Sequence, residues 1–279
     1  MTLSKQRLQI PGGAGGPLAA VLQTPGADAP VRGTVVLAHC FTCTKDIAIL
    51  TRLSRALTRA GFAALRFDFS GLGESAGDFA TTTVSSDIAD LVTVCRWLAE
   101  RQRPVDALVG HSLGGTVALL AAAQVPTVRA VAVVNAPAEP SHLGRLFSDA
   151  ADVIRAQGQA EVELAGRPFP ISRAFLDDLG VHDTAAAVAG LDVDLLVVHA
   201  VDDEEVPLSE AEAVVAASGG RARLVRLPEG DHLLTARSSA EAAVDAVLSW
   251  LGDALADAAA GPARPGGARS GGARPGGAR

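Results

Sequence analysis

Short runs of continuous apolar residues alternate with longer segments of helical periodicity along most of the chain. The apolar runs predict strands that are buried on both faces, at Thr34–His39, Phe62–Phe67, Val105–Val109, Val128–Asn135, Asp194–Ala200 and Ala222–Leu227. The periodic segments between them predict helices at Asp46–Ala60, Ser86–Glu100, Ser112–Ala123, Leu208–Ala217 and Ser239–Ala259, with Ser85 or Ser86 as the N-cap of the second. This alternation predicts an α/β fold with a mostly parallel sheet and helices on both of its faces.

Two regions depart from this rhythm. At the start, strands at Arg7–Ile10 and Leu18–Gln23 flank a glycine-rich turn. Between about 139 and 190 the periodicity is lost, apart from a hairpin-like piece at Val162–Ile171 and a helical piece at Arg173–Leu179. We expect this stretch to be a small cap inserted into the parent fold.

The C-terminal segment, 261–279, differs from everything before it. It repeats Ala-Arg with Pro-Gly-Gly or Ser-Gly-Gly and contains no large apolar side chain. Such a segment cannot bury enough surface to offset its ordering entropy, so we expect a disordered tail. Residues 1–260 are predicted to form a single domain.

Composition narrows the class of protein. The chain has 279 residues, 48% of them hydrophobic, and a formal net charge of −7, which argues against a nucleic-acid-binding surface. No apolar stretch approaches the length of a membrane span, and the first residues lack the apolar segment of a signal peptide. With three cysteines and no leader, a reducing, cytoplasmic setting is expected, with a small-molecule partner and an undefined oligomeric state.

The candidate nucleophile is Ser112, in Gly110-His111-Ser112-Leu113-Gly114. This G-x-S-x-G pattern follows a predicted buried strand and opens a predicted helix, which is the context that gives it meaning. The glycines allow strand and helix to approach, and the serine oxygen then projects above the sheet.

A serine hydroxyl requires a base, and the base requires an acid that orients it. His232 lies in a loop after the last predicted strand, whereas His39 and His199 end strands elsewhere and His142 and His182 fall in the cap. His111 flanks the nucleophile and is expected to point away from the site.

The acid is expected after the strand Asp194–Ala200, where four carboxylates crowd together. Asp203 and Asp202 are the two candidates among them. Asp231 adjoins His232 in sequence and is therefore poorly aimed at its ring. The backbone N–H groups of Leu113 and Phe41 are the expected oxyanion-hole donors.

These motifs, together with Arg66–Ser75 and Gly230–His232, resemble the α/β-hydrolase superfamily over about 1–260. The resemblance implies an α/β-hydrolase fold and a serine hydrolase with a Ser112–Asp203–His232 triad, and the Asp203–Pro207 run selects Asp203 over Asp202. It implies no metal and no cofactor. The segments Ala38–Asp46 and 165–169 are most similar to the bacterial branch often fused to an OsmC-like domain, but the residues after 260 do not resemble that domain, and its peroxide-reducing role is not carried over.

Cys40 departs from the pattern of the α/β-hydrolase superfamily, in which many relatives have glycine after the strand-ending histidine. Cys40 and Cys43 form a C-x-x-C spacing before a helix, so they are either two loop thiols or a redox pair whose oxidation distorts the Phe41 donor and switches the hydrolase off. The expected substrates are esters of short to medium acyl chain. Phe147, Phe169 and Phe175 either line the substrate pocket or pack in the core. A peptidase or thioesterase with the same triad, a thiol redox protein and a non-catalytic binding protein are the alternatives.

Overall fold

The computed structural model describes residues 3–26, 29–164 and 166–256. The strands are β1 (Ser4–Gly13), β2 (Gly16–Thr24), β3 (Thr34–Ala38), β4 (Ala63–Phe67), β5 (Ala107–His111), β6 (Ala130–Val134), β7 (Gln159–Leu164), β8 (Arg167–Ser172), β9 (Asp194–Ala200) and β10 (Arg223–Leu227). The α-helices are α1 (Ala48–Arg59), α2 (Val84–Glu100), α3 (Leu113–Ala122), α4 (Ala151–Gln157), α5 (Arg173–Asp178), α6 (Thr184–Gly190), α7 (Leu208–Ala217) and α8 (Arg237–Ala256). The predicted tail at 261–279 and the predicted end of the last helix at Ala259 lie outside the described residues.

The main sheet has eight strands in the order β1-β2-β4-β3-β5-β6-β9-β10. β1 pairs antiparallel with β2 and β2 antiparallel with β4, while every other pairing is parallel. This confirms the predicted mostly parallel sheet and the α/β-hydrolase fold. In such a sheet the carboxyl ends of the strands meet at one edge, so the loops that follow β3, β5, β6 and β9 converge there.

The central strands are continuously apolar because both of their faces are buried. Along β3, Val36 packs in the hydrophobic cluster that contains α2 and α3, whereas Val35 and Leu37 pack in the cluster on the other face, with α1 and α8. Alternate residues of a strand point to opposite faces, so covering both faces requires apolar side chains at every position.

The start of α2 differs from the prediction for a local reason, and α1 and α8 also begin two residues from their predicted starts, at Ala48 and Arg237. α2 begins at Val84 and its N-cap is Thr83, not Ser85 or Ser86. The Thr83 hydroxyl accepts a hydrogen bond from the Ser86 amide at 3.1 Å, and the Ser86 hydroxyl lies 2.8 Å from the Thr83 amide. This capping box satisfies backbone donors at both positions, while Ser85 instead hydrogen-bonds to Asp178.

The chain between β6 and β9 contains the predicted hairpin and the predicted helical piece. The hairpin is β7–β8, in register from Gln159–Ser172 to Leu164–Arg167, and the helical piece is α5. The structure adds α4, α6 and a 3₁₀ helix at Pro140–Phe147, which were too short to leave a periodic signal in the sequence. Within the described ranges, no helix is long and apolar enough to cross a membrane.

The first turn of α3 packs directly against the end of β3. A Cβ added at Gly114 would lie 2.4 Å from the carbonyl oxygen of His39 and 2.5 Å from that of Ala38. These are backbone atoms of a central strand and cannot move aside cheaply, so the helix can approach this closely only with glycine here.

We therefore expect Gly114→Ala to lower the free energy of unfolding by about 3 kcal/mol, the cost of overpacking a rigid contact. Urea unfolding followed by circular dichroism measures this. Gly252→Ala in α8 is the matched control, because the nearest atom to its added Cβ is the end of the Arg32 side chain at 4.0 Å. The control should be neutral or stabilising by up to about 1 kcal/mol, and equal losses in the two variants would contradict the close-approach argument.

Candidate active site

Ser112 sits on a tight turn between β5 and α3. Its backbone has φ 52° and ψ −128°, a conformation that costs a residue with a side chain on the order of 1–3 kcal/mol. A Cβ at Gly110 would fall 2.1 Å from the carbonyl oxygen of Gly114, so the turn closes only with glycine at this position. The strained turn holds the Ser112 hydroxyl at the N-cap of α3.

The structure brings the three predicted residues Ser112, His232 and Asp203 into one hydrogen-bonded chain. His232 Nε2 lies 2.9 Å from Ser112 Oγ, and His232 Nδ1 lies 2.8 Å from Asp203 Oδ2. All three side chains are buried. Asp202, the alternative acid, is exposed, so the geometry assigns the partner of His232 to Asp203.

Asp203 is held as a carboxylate by its neighbours. Its second oxygen accepts hydrogen bonds from the amides of Glu205 and Val206, each at 2.9 Å. Burial alone would raise the pKa of Asp203, but the hydrogen bond from His232 and these two amides outweigh it and lower the pKa below its ordinary value. An ionised carboxylate only accepts, so Nδ1 of His232 carries the proton and Nε2 faces Ser112 as the acceptor.

Asn135 positions the loop that carries His232, a role that sequence reasoning missed. Its backbone adopts φ 47° directly after β6, which turns its amide side chain across the carboxyl edge of the sheet. Its Oδ1 accepts from the Ala200 amide at 2.9 Å, and its Nδ2 donates to the His232 carbonyl at 3.0 Å. Asn135 thereby ties the end of the acid-bearing strand to the histidine loop. An asparagine that ends an apolar strand was the available signal.

His111 does not point away from the site, and that prediction is wrong. Its Nε2 donates to the His232 carbonyl at 2.8 Å, and the two ring centroids are 5.1 Å apart. Desolvation by burial lowers the pKa of His111 to about 4, so the ring is neutral at physiological pH. His111 and Asn135 therefore both hold the His232 backbone through its carbonyl oxygen.

The loop after β3 presents the Phe41 amide and is anchored at both ends. On one side, His39 Nδ1 donates to the Cys40 carbonyl at 2.8 Å while His39 Nε2 accepts from the Phe69 amide at 3.1 Å. Burial lowers the pKa of His39 to about 4, which keeps the ring neutral and able to make both bonds. On the other side, the Lys45 amide and Nζ both bind the buried Asp68 carboxylate at 2.6 Å.

The two predicted oxyanion donors have free amides. In the part of the chain that the structure describes, the N–H groups of Phe41 and Leu113 donate to no protein acceptor. Leu113 is the first residue of α3, where helical N–H groups have no partner within the helix. Because Gly114 lies against the end of β3, the helix start and the Phe41 loop are neighbours.

Cys40 and Cys43 are joined in a disulfide, with their Cα atoms 5.3 Å apart. The interpretation of two separate loop thiols is therefore wrong. The bridged loop coexists with an intact Ser112–His232–Asp203 chain, so bridging does not take these residues apart. The third cysteine, Cys95, is buried, and desolvation raises the pKa of its thiol to about 12.

A cavity of about 430 Å³ opens above Ser112 and His232, a size typical of small-molecule sites. Its walls are largely apolar, and its polar lining includes Arg145, Glu163 and Glu205. Glu205 Oε2 lies 3.9 Å from His232 Nε2. The other wall residues come from the Phe41 loop, the segment between β6 and β9, the Asp203 loop and the His232 loop, among them Thr42, Pro137, Leu143, Leu146, Leu164, Val206 and Leu233.

The three candidate pocket phenylalanines pack in the core and do not line this cavity. Phe175 stacks on Phe41 with centroids 5.1 Å apart, and Phe147 contacts Phe41 edge-on at 5.9 Å. Phe169 packs against Phe79 at 5.3 Å. Phe147 and Phe175 contact the Phe41 ring directly, whereas Phe169 contacts Phe79, which in turn packs against Phe41. No group of three or more His, Cys, Asp or Glu side chains within the described ranges is arranged to hold a metal ion.

The chain is similar to known hydrolases. A family model described as serine aminopeptidase, S33, matches residues 29–157. The crystal structure of the esterase domain of a Rhodothermus marinus protein is 34% identical, with 90% of this chain and 98% of that chain covered and a TM-score of 0.70. Est1E from Butyrivibrio proteoclasticus, solved with bound ferulic acid, shares the fold at a TM-score of 0.76 and 20% identity, with 89% and 99% of the two chains covered.

A shorter match links the chain to an uncharacterised 31.7 kDa protein of the traX-finO intergenic region of Escherichia coli. The two are 35% identical over 101 residues, which is 35% of this chain and 35% of the relative. The chain therefore matches about a third of that curated relative's length.

The buried neutral state of His111 predicts a pH dependence of stability. The unfolded chain takes up the proton near pH 6.5 and the folded chain only near pH 4, so stability falls as the pH drops through this window. Replacing His111 with Gln removes that term. We expect the loss of unfolding free energy between pH 7.5 and 5 to be about 2 kcal/mol smaller in His111→Gln than in the wild type. Urea titrations at the two pH values measure it, and parallel losses would contradict the buried neutral assignment.

Proposed function

The chain belongs to the α/β-hydrolase family, and from that premise we propose that it is a serine esterase that cleaves carboxylic esters through an acyl-enzyme on Ser112. The observation that carries the proposal is the continuous hydrogen-bond chain from Ser112 Oγ through His232 to Asp203 at a largely apolar cavity. A buried serine, an imidazole and a carboxylate hydrogen-bonded in this order can activate a hydroxyl for acyl transfer.

In the first half of the proposed reaction, Ser112 Oγ attacks the ester carbonyl while His232 Nε2 takes the hydroxyl proton. Asp203 accepts from Nδ1 and stabilises the imidazolium without taking its proton. The free amides of Phe41 and Leu113 receive the oxyanion, and each donor is expected to stabilise the transition state by about 3–4 kcal/mol. His232 then returns the proton to the leaving alcohol.

In the second half, water attacks the acyl-enzyme and the same groups act in reverse order. His232 takes a proton from the water and gives it back to Ser112 Oγ as the acid product leaves. Every proton is held by residues of this chain, so the proposal requires no metal and no organic cofactor.

The cavity supports a short to medium acyl chain. A volume of about 430 Å³ admits a small ester, and walls such as Leu143, Leu146 and Leu164 favour apolar groups. The similar Rhodothermus marinus chain is itself an esterase domain. The cytoplasmic setting, the single domain over 1–260 and the closer likeness to the OsmC-fused branch stay predictions.

A peptidase is the second candidate, favoured by the description of the matching family model. The carboxylates of Glu163 and Glu205 at the cavity would suit a substrate ammonium group. An aminoacyl p-nitroanilide tests this candidate beside p-nitrophenyl butyrate, because only a peptidase should release p-nitroaniline from the amide, whereas both kinds of enzyme can cleave the activated ester. A butyryl thioester in the same assay tests the thioesterase alternative.

The proposal is tested by labelling with a fluorophosphonate, read by intact mass, on wild type and Ser112→Ala. We expect one adduct on the wild type and none on the variant, because only an activated serine attacks the probe. Absence of an adduct on both proteins would sink the proposal and favour the non-catalytic binding reading.

The assignment of Asp203 as the orienting acid can be tested against its neighbour Asp202. Asp203→Asn leaves the shape intact but removes the charge that orients His232, so kcat should fall by about 10³- to 10⁴-fold on p-nitrophenyl butyrate. Asp202→Asn changes the neighbouring exposed carboxylate and should stay within about twofold of the wild type. Comparable losses in both variants would count against Asp203 as the orienting acid.

A further inference from the structure

A disulfide forms part of the wall of the proposed substrate cavity. Cys40 and Cys43 both line the space that contains Ser112 and His232, and their bridge encloses Phe41 and Thr42. We propose that this pair is a thiol–disulfide exchange site whose bridged form holds the Phe41 amide in place for hydrolysis, and whose cleavage by a dithiol slows the enzyme. The inference rests on the proposed esterase function of the same site.

The bridge closes a part of the loop that few hydrogen bonds hold. The anchors described above hold the Cys40 carbonyl on one side and Lys45 on the other. Between them the Phe41 amide donates to no protein group in the described chain, and Thr42 adopts φ 58°, which is unfavourable for a β-branched residue. Two hydrogen bonds reach these residues, a turn bond from the Cys43 amide to the Cys40 carbonyl at 3.2 Å and one from the exposed Arg167 guanidinium to the Thr42 carbonyl at 3.3 Å.

The contacts of the Phe41 side chain do not replace the bridge. Its ring packs against Phe175 and Phe147, which fixes the position of the ring. The Phe41 N–H belongs to the same planar peptide unit as the Cys40 carbonyl, which accepts from His39 Nδ1 at 2.8 Å and from the Cys43 amide at 3.2 Å. The bridge holds Cys43 in place for the second of these bonds, so the direction of the amide depends on it. Opening the bridge is therefore expected to misalign the donor without unfolding the cap.

The pair is also the place where a reductant can act. Cys43 is half-buried at the cavity, whereas Cys40 is 4% exposed. Cys95 lies in the core with a thiol whose pKa is raised by burial, and it takes no part. A disulfide facing a substrate cavity is of the accessible kind that exchanges, unlike one sealed in a core.

The proposed exchange has two steps. One thiolate of the dithiol attacks Sγ of Cys43, forming a mixed disulfide, and Cys40 leaves as a thiolate that takes up a proton. The second thiol of the reductant then attacks its own sulfur in the mixed disulfide and releases Cys43. The dithiol becomes a cyclic disulfide, and two electrons and two protons pass to the protein.

The experiment compares the full chain in its two redox states. One sample is oxidised with diamide and the other is reduced with dithiothreitol, which is then removed without air. Alkylation with iodoacetamide under denaturing conditions, read by intact mass, verifies the states, since the oxidised chain exposes only the Cys95 thiol and the reduced chain exposes all the cysteines. Hydrolysis of p-nitrophenyl butyrate and the rate of fluorophosphonate labelling are then measured on both.

Reduction is expected to lower kcat about three- to tenfold, less than the loss of a whole oxyanion donor. KM should change less than twofold, and diamide should restore the rate. A Cys40→Ala/Cys43→Ala variant should show the low rate in both treatments. The matched control, Cys95→Ala, should keep the full redox response, because this buried cysteine of α2 is not part of the disulfide.

Two results would overturn the inference, and they are distinguishable. Equal kcat and equal labelling rates in verified oxidised and reduced samples, or a faster reduced form, would refute the exchange site while leaving the esterase proposal standing. No hydrolysis and no labelling in either state would overturn the esterase proposal, and this inference with it.

Discussion

Helix α3 meets the sheet so closely that its first turn has no room for a side chain facing β3. Added Cβ atoms at Gly110 and Gly114 would overlap backbone atoms, and one at Gly115 would lie 2.6 Å from the Cβ of Ala136. This contact forces Ser112 into its strained conformation and places the helix start beside the loop that carries Phe41. The nucleophile and both candidate oxyanion donors therefore depend on one packing constraint.

A second layer of interactions converts this edge of the sheet into a rigid frame. Asn135 and His111 both donate to the His232 carbonyl, and Asn135 also accepts from the end of β9. The imidazole that faces Ser112 is thus held through its backbone by two strands, while its ring is oriented by Asp203. Ser112, Asp203 and His232 lie in loops that are far apart in sequence. These loops come together because they follow strands of one parallel sheet, whose carboxyl ends lie along the same edge.

The sequence was sufficient to predict the features that follow from a local pattern of residues. Strands buried on both faces and the G-x-S-x-G turn were predictable because each leaves a signal within a few residues. Residue types alone left Asp202 and Asp203 equal, since the choice depends on which one a turn buries. His111 and Asn135 were missed because they act on a backbone carbonyl about a hundred residues away, a contact that has no trace in sequence spacing.

The cysteine pair and the phenylalanines show a second kind of feature that the sequence could not predict. The C-x-x-C spacing indicated proximity, but whether bridging disturbs or supports the loop depends on the anchors around it. Packing in the core and lining of the pocket were equally consistent with Phe147, Phe169 and Phe175, because both environments favour aromatic side chains. Only the three-dimensional arrangement separates them.

Phe41 belongs to two parts of the molecule at once, since its amide is the proposed oxyanion donor and its ring stacks on Phe175 of the segment between β6 and β9. The sequences of the β3 loop and of the segment that carries Phe175 therefore cannot change independently during evolution. A change in side-chain volume at Phe175 alters the seat of the ring, and the fitness effect of that change depends on the residue at 41. Because of this epistasis, the segment between β6 and β9 and the loop after β3 are expected to evolve together. Replacing that segment by protein engineering therefore requires replacing the β3 loop as well.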